Sequence, residues 1–179
     1  MRGQVKRSKP WLVGLLLLMA AIGLTAIFSP RSASGGESRD RIVAEGGGTT
    51  IIHGGTGAAG GFGPVLTTIA FHAEKTGGQV SGSFDCLALV PGASTGSKSG
   101  QFTVNAMYVA GQITGATVNG DIATLTGTAD ITGLGAGSNV SFTFVVRNGG
   151  PGATAVLTAS GLTFDELLVE GSFRVRSED

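Results

Sequence analysis

Between residues 65 and 176 apolar and polar residues alternate in short runs separated by glycine-rich turns. In the first run Ile69, Phe71 and Ala73 share one side, and Ala70, His72 and Glu74 share the other. A two-residue period puts successive side chains on opposite faces of a strand. Gly77-Gly78 turns that run into 79–90, where Phe84, Cys86, Ala88 and Val90 share a face. Phe102, Val104, Ala106 and Tyr108 do the same in 101–110, and Gly111-Gln112 leads on into a strand at 113–118. Asn119-Gly120, the strongest hairpin dipeptide in the chain, joins this to 121–131. Residues 139–147 set Val140, Phe142, Phe144 and Val146 inside, with Ser141, Thr143 and Arg147 outside. After a turn from Asn148 to Gly152, strands at 153–160 and 167–176 complete the series.

No stretch of this region longer than a few residues carries a helical period, and Thr, Val, Gly and Ala dominate it. About eight strands at 8–12-residue spacing with short turns predict an all-β, antiparallel domain over 65–179. Short sequential connections favour a meander closing as a small up-and-down barrel, which removes sticky edges, over the alternative of a β-sandwich.

Two segments precede this domain. Arg2, Lys6, Arg7 and Lys9 come before an uncharged apolar run from Trp11 to Phe28, which Pro30 ends. That order of charge and grease is the layout of an export signal, so residues 1–34 read as a signal peptide or signal anchor forming a hydrophobic helix. The run has 18 residues, just short of the roughly 20 that span a bilayer. Cleavage after Ser32-Ala33-Ser34 is favoured over retention as a membrane anchor. Residues 35–64 read as a flexible linker, because Gly46-Gly47-Gly48 and the glycines from Gly54 to Gly63 make ordering costly in backbone entropy. Within it Thr49–His53 has the makings of one short strand. The expected location is extracytoplasmic, either secreted or anchored through residues 11–28.

Charge changes once the leader is set aside. Residues 35–179 hold seven Lys and Arg against all twelve acids, hence a net charge of −5. With no basic cluster, a nucleic-acid partner is not expected. The single Trp lies in the leader and the single Tyr is Tyr108, which disfavours aromatic sugar platforms and tight Trp- and Tyr-rich interfaces. Cys86 is the one cysteine, so no intramolecular disulfide forms, and its place in the alternation predicts a buried thiol.

Residues 67–176 resemble small exported bacterial β-domains rich in Gly and Thr. The matching features are Ala70-Phe71-His72, Gly82-Ser83-Phe84, the hairpin Gly120-Asp121-Ile122-Ala123, Gly127-Thr128-Ala129, Phe142 with Phe144, and the turn from Asn148 to Gly152. The resemblance implies fold and location and carries no reaction, since such domains have no established biochemical activity.

Several motifs invite chemistry and lack its context. Gly55-Thr56-Gly57-Ala58-Ala59-Gly60 spells the dinucleotide fingerprint, but Phe62-Gly63-Pro64 follows where a helix must open. Gly92-Ala93-Ser94-Thr95-Gly96 spells the nucleophile elbow, yet it sits in a polar loop with no helix after it. His53, His72 and Cys86 do not form a zinc set. Asp121, Asp130 and Asn139 flank turns without the spacing of a calcium loop. Asp165 and Glu166 are adjacent, so on a strand they face opposite ways and read as a solvated corner. A histidine and acids meeting in one cavity, such as His72 with Asp85 and Asp121, would be the sign of a missed site.

No catalytic, cofactor-binding or metal-binding residue is therefore assigned, and no cofactor is expected. The leading expectation is a non-catalytic structural or adhesive module with an envelope or cell-surface partner, touching membrane only through its N-terminal segment. The alternative is a carrier for a small apolar ligand, because Ala73, Ala88, Ala106, Ala155 and Ala159 on inward patterns leave room inside a barrel. An enzyme built on the barrel is third.

Overall fold

Apolar alternation on every strand means that each strand has one face to hide, and a sheet curled on itself hides all of them at once. A computed structural model describes residues 41–57, 65–91 and 102–178. The leader, most of the β1–β2 and β3–β4 connections, the Ser94 motif and the second half of the glycine fingerprint lie outside the described residues.

Eight antiparallel strands close into a barrel in which every strand pairs with its neighbours in sequence and β1 pairs with β8. They are β1 (Arg41–Gly54), β2 (Val65–Thr76), β3 (Gln79–Pro91), β4 (Phe102–Asn119), β5 (Ile122–Gly133), β6 (Gly137–Arg147), β7 (Thr154–Ala159) and β8 (Leu162–Glu178). The sandwich alternative is set aside by that closure.

Closure depends on a strand where a linker was expected. Arg41 to Ile52 pair residue for residue with Thr76 to Val65 on β2, and the same segment pairs with β8. The linker expected over 35–64 is thus strand over Arg41–Gly54. Glycine's entropy cost is offset here because hydrogen bonds hold the triglycine from both sides. Gly46 faces inward between Phe71 and Phe173, whose ring centroids lie 5.6 Å apart. A Cβ at Gly46 would stand 2.4 Å from the Ser172 carbonyl oxygen and 3.1 Å from the Phe173 ring.

Two strands expected separately are one. Residues 101–110 and 113–118 belong to β4, because Gly111 makes no turn but continues the ladder to Phe84 and Ala129. The β4 face also differs from expectation. Ala88 pairs with Met107 and Leu89 with Asn105, leaving Ala106 as an unpaired bulge residue. A bulge of one residue exchanges the faces beyond it. Met107 and Val109 are therefore buried while Tyr108 is 37 % exposed.

The interior is filled largely by rings. Phe71, Phe84, Phe142, Phe144 and Phe173 interlock at centroid separations of 4.8–5.6 Å. Phe142 lies over Gly111 and Gly127, which carry no side chain to obstruct it. Outside, the strands present Glu45, His72, Asp85, Gln112, Thr128, Ser141 and Arg174, so polar residues alternate with the core.

Candidate functional site

The β8 alternation starts earlier than expected, at Leu162, and this moves one acid from the surface to the centre. Phe164, Glu166 and Leu168 take successive inward positions, and all three are buried. Glu166 stands opposite Ala155 on β7 and Ile52 on β1. Thr50 and Thr67 stand opposite each other on β1 and β2, also inward and buried. The expected solvated corner is therefore wrong for Glu166, which is 1 % exposed.

Two hydroxyls and a carboxyl inside an apolar barrel each need a partner, since an unpaired buried polar group costs about 1–3 kcal/mol. They find one another. Thr50 Oγ1 contacts Thr67 Oγ1, and both contact Glu166 Oε2. The second carboxyl oxygen, Oε1, is equally buried and has no partner. Among the described residues it is the one buried side-chain oxygen or nitrogen in that condition. Burial pushes the Glu166 carboxyl above its ordinary 4.5, while hydrogen bonds from Thr50 and then Thr67 act in the lowering direction.

Cys86 shares this interior. Its thiol is buried and pushed well above 9.0, first by burial and then by the neighbouring acidic groups Glu166 and Asp85. A thiol held neutral in this way is a packing group rather than a nucleophile.

The cluster lies one inward step from one end of the barrel. Glu166 follows Phe164 on β8, Thr67 follows Val65 on β2, and Ala88 follows Val90 on β3. Phe164, Val65 and Val90 keep 5–7 % exposure, against 0 % for Phe84 and Phe144. The cluster thus lies towards the end of the barrel at which β1 leads to β2 and β3 to β4. Ala88 opposite Thr67, and Ala155 opposite Glu166, keep the side chains next to the cluster small.

Comparison with protein-family models, curated proteins and solved structures finds no match. The fold and its interior are accordingly the whole basis of a functional reading.

The residues singled out from sequence are not brought together. His72 Nδ1 faces Glu45 across β1–β2 at 3.6 Å on the outer surface. Asp85 accepts a 2.9 Å hydrogen bond from Tyr108, which raises the phenol's pKa. Asp121 pairs with Arg147 at 2.8 Å on another part of the surface. Asp130 Oδ1 accepts from the Asn139 amide at 3.1 Å. Among the described residues no three of His, Cys, Asp and Glu are grouped as a metal site would need. The first half of the glycine fingerprint is stitched to β8. Gly57 N–H donates to the Thr163 carbonyl, and Thr56 Oγ1 accepts from Thr163 N–H, both at 2.9 Å. The Gly57 amide is used within the fold, where a dinucleotide would need it free.

A shallow groove of about 450 Å³ runs over the outer face at Gly47, with the backbone of Gly46 and Gly171 beside it and Glu45, His72 and Arg174 at its rim. It is wide and open, and its charges are those of a solvated strand surface.

Proposed function

We propose that this chain is an exported, non-catalytic barrel module that holds one small, mostly apolar molecule in the loop-bearing end of its interior. The observation that carries this reading is the Glu166 carboxyl, buried with one oxygen unpartnered among apolar side chains. Native interiors pair such atoms with protein, water or ligand. Eight-stranded barrels are wide enough either to fill with side chains or to hold one small ligand. Here the five phenylalanines fill one part, and the cluster with its small neighbours Ala88 and Ala155 lies beside it, towards one end. The polar outer face is the inverse of a lipid-facing barrel, which fits a module working in water outside the cytoplasm with membrane contact left to its N-terminal segment.

A structural or adhesive role is the second reading, favoured by the interlocked rings, which make a rigid display scaffold without any ligand. Native mass spectrometry of the protein recovered from its own cells separates the two. A reproducible adduct that leaves on denaturation supports the carrier. A bare polypeptide mass in every preparation overturns it in favour of the scaffold.

A further inference from the structure

The contacts around Glu166 contain a proton count. A threonine hydroxyl has one hydrogen to donate, and an ionised carboxylate has none. Thr50 Oγ1, Thr67 Oγ1 and Glu166 Oε2 make three mutual contacts. With Glu166 ionised, two hydrogens serve three contacts, and one pair of oxygens meets lone pair to lone pair. With the proton on Oε2 the ring closes. The carboxyl donates to one threonine, that threonine to the other, and the second back to Oε2.

Electrostatics agrees with the count. Among the described inward residues no cation faces Glu166 from β1, β2, β7 or β8, and the remaining titratable group inside, Cys86 on β3, is neutral as a thiol. A buried carboxylate without a counter-charge is costly, and a protein in that position keeps the acid protonated.

We propose that Glu166 is held as the neutral acid and that its free Oε1 is a carbonyl-type acceptor for an uncharged hydrogen-bond donor, a hydroxyl or amide N–H, on an otherwise apolar ligand. This rests on the reading of the interior as a ligand site and names what that site accepts. An anionic head would set its oxygens against Oε1. An ammonium head would bring a charge into the barrel with no charge to meet it.

The test uses three probes of similar size, 1-hexanol, methyl pentyl ether and hexanoate, titrated calorimetrically into the full chain and into E166Q and E166L. Glutamine keeps a neutral side chain of the same shape: its carbonyl oxygen stands in for Oε1, and its two N–H donate to Thr50 and Thr67. Hexanol is expected to bind about three- to tenfold more tightly than the ether, the worth of one neutral hydrogen bond. E166Q keeps that preference and E166L loses it. Hexanoate binds most weakly. Equal binding of alcohol and ether to the wild-type protein, or loss of the preference in E166Q, overturns the inference while leaving a carrier. No binding of any probe, with a bare protein from cells, overturns the carrier reading itself. Because E166L leaves Thr50 and Thr67 short of a partner and is at risk of unfolding, an infrared measurement stands beside it. The wild-type protein at neutral pH should show the carbonyl stretch of a protonated carboxyl that E166Q lacks. Absence of that band overturns the assignment of the proton.

Discussion

A single proton on Glu166 has consequences for the stability of the whole chain. Its carboxyl is raised above 4.5 by burial in the folded barrel, and in the unfolded chain it titrates near that ordinary value. Below about 4.5 both states are protonated and the group is neutral in the balance. Above it the unfolded chain releases its proton first, so the folded state binds more protons and stability falls as pH rises. The slope is about 1.4 kcal/mol per pH unit until the folded carboxyl itself ionises. Thermal melts of the wild-type protein compared with E166Q should show this: the difference in midpoint shifts in favour of E166Q as pH is raised from about 4.5. A wild-type curve parallel to that of E166Q would mean that burial does not hold the proton. Cys86 gives a second check on the same interior. As a buried neutral thiol it should resist iodoacetamide in the folded protein and react rapidly in denaturant. Rapid native alkylation would mean that the interior is open to reagents at that position.

At the level of elements, what the sequence discloses depends on where parity is counted from. Strands with strict alternation, β2, β3 and β6, have the core faces that Ile69, Phe71, Phe84, Cys86, Phe142 and Phe144 predict. Elsewhere the alternation starts at a different residue from the one the turns suggest. Starting the last strand at Leu167 hides the inward series Phe164, Glu166, Leu168, and with it the partner of Thr50 and Thr67. The Ala106 bulge exchanges the faces of β4, and nothing in Asn105-Ala106-Met107 announces a bulge. The pattern predicts the right number, eight, through two compensating differences: Gly111 splits β4 into two apparent strands, and the glycines of β1 read as a linker. Glycine is the common cause: its composition suggests flexibility, and only the partners on either side make it strand. Those inward glycines are predicted to be intolerant. In Gly127→Val the new Cβ would meet the Gln112 carbonyl oxygen at 1.9 Å and the Phe142 ring at 2.9 Å. Overpacking of this kind costs about 1–3 kcal/mol, visible as a lower denaturant midpoint. Gly150→Ala, where a Cβ meets nothing within 4 Å, should stay within about 0.5 kcal/mol of wild type.

For the whole molecule the decisive contact is the seam between β1 and β8, which joins residues more than a hundred positions apart and turns a twisted sheet into a closed surface. The hydrophobic pattern alone places the start of the domain at residue 65. The pairing of Arg41–Gly54 with both β2 and β8 moves it to residue 41. Cleavage before Gly35, as the leader predicts, would leave β1 intact. Removal of the glycine-rich segment would not, and it would also take away Thr50, one of the two hydroxyls on Glu166. The two boundaries make different proteins. A chain of residues 35–179 should unfold in one cooperative transition. A chain of residues 55–179 leaves the edges of β2 and β8 unpaired along their full length, a template for pairing with other copies. It should lose the cooperative transition and self-associate, as seen by light scattering and by rapid amide exchange along β2 and β8. If residues 55–179 instead gave a stable monomer with protected amides on those two strands, β1 would be an accessory and closure would not be what holds this fold together.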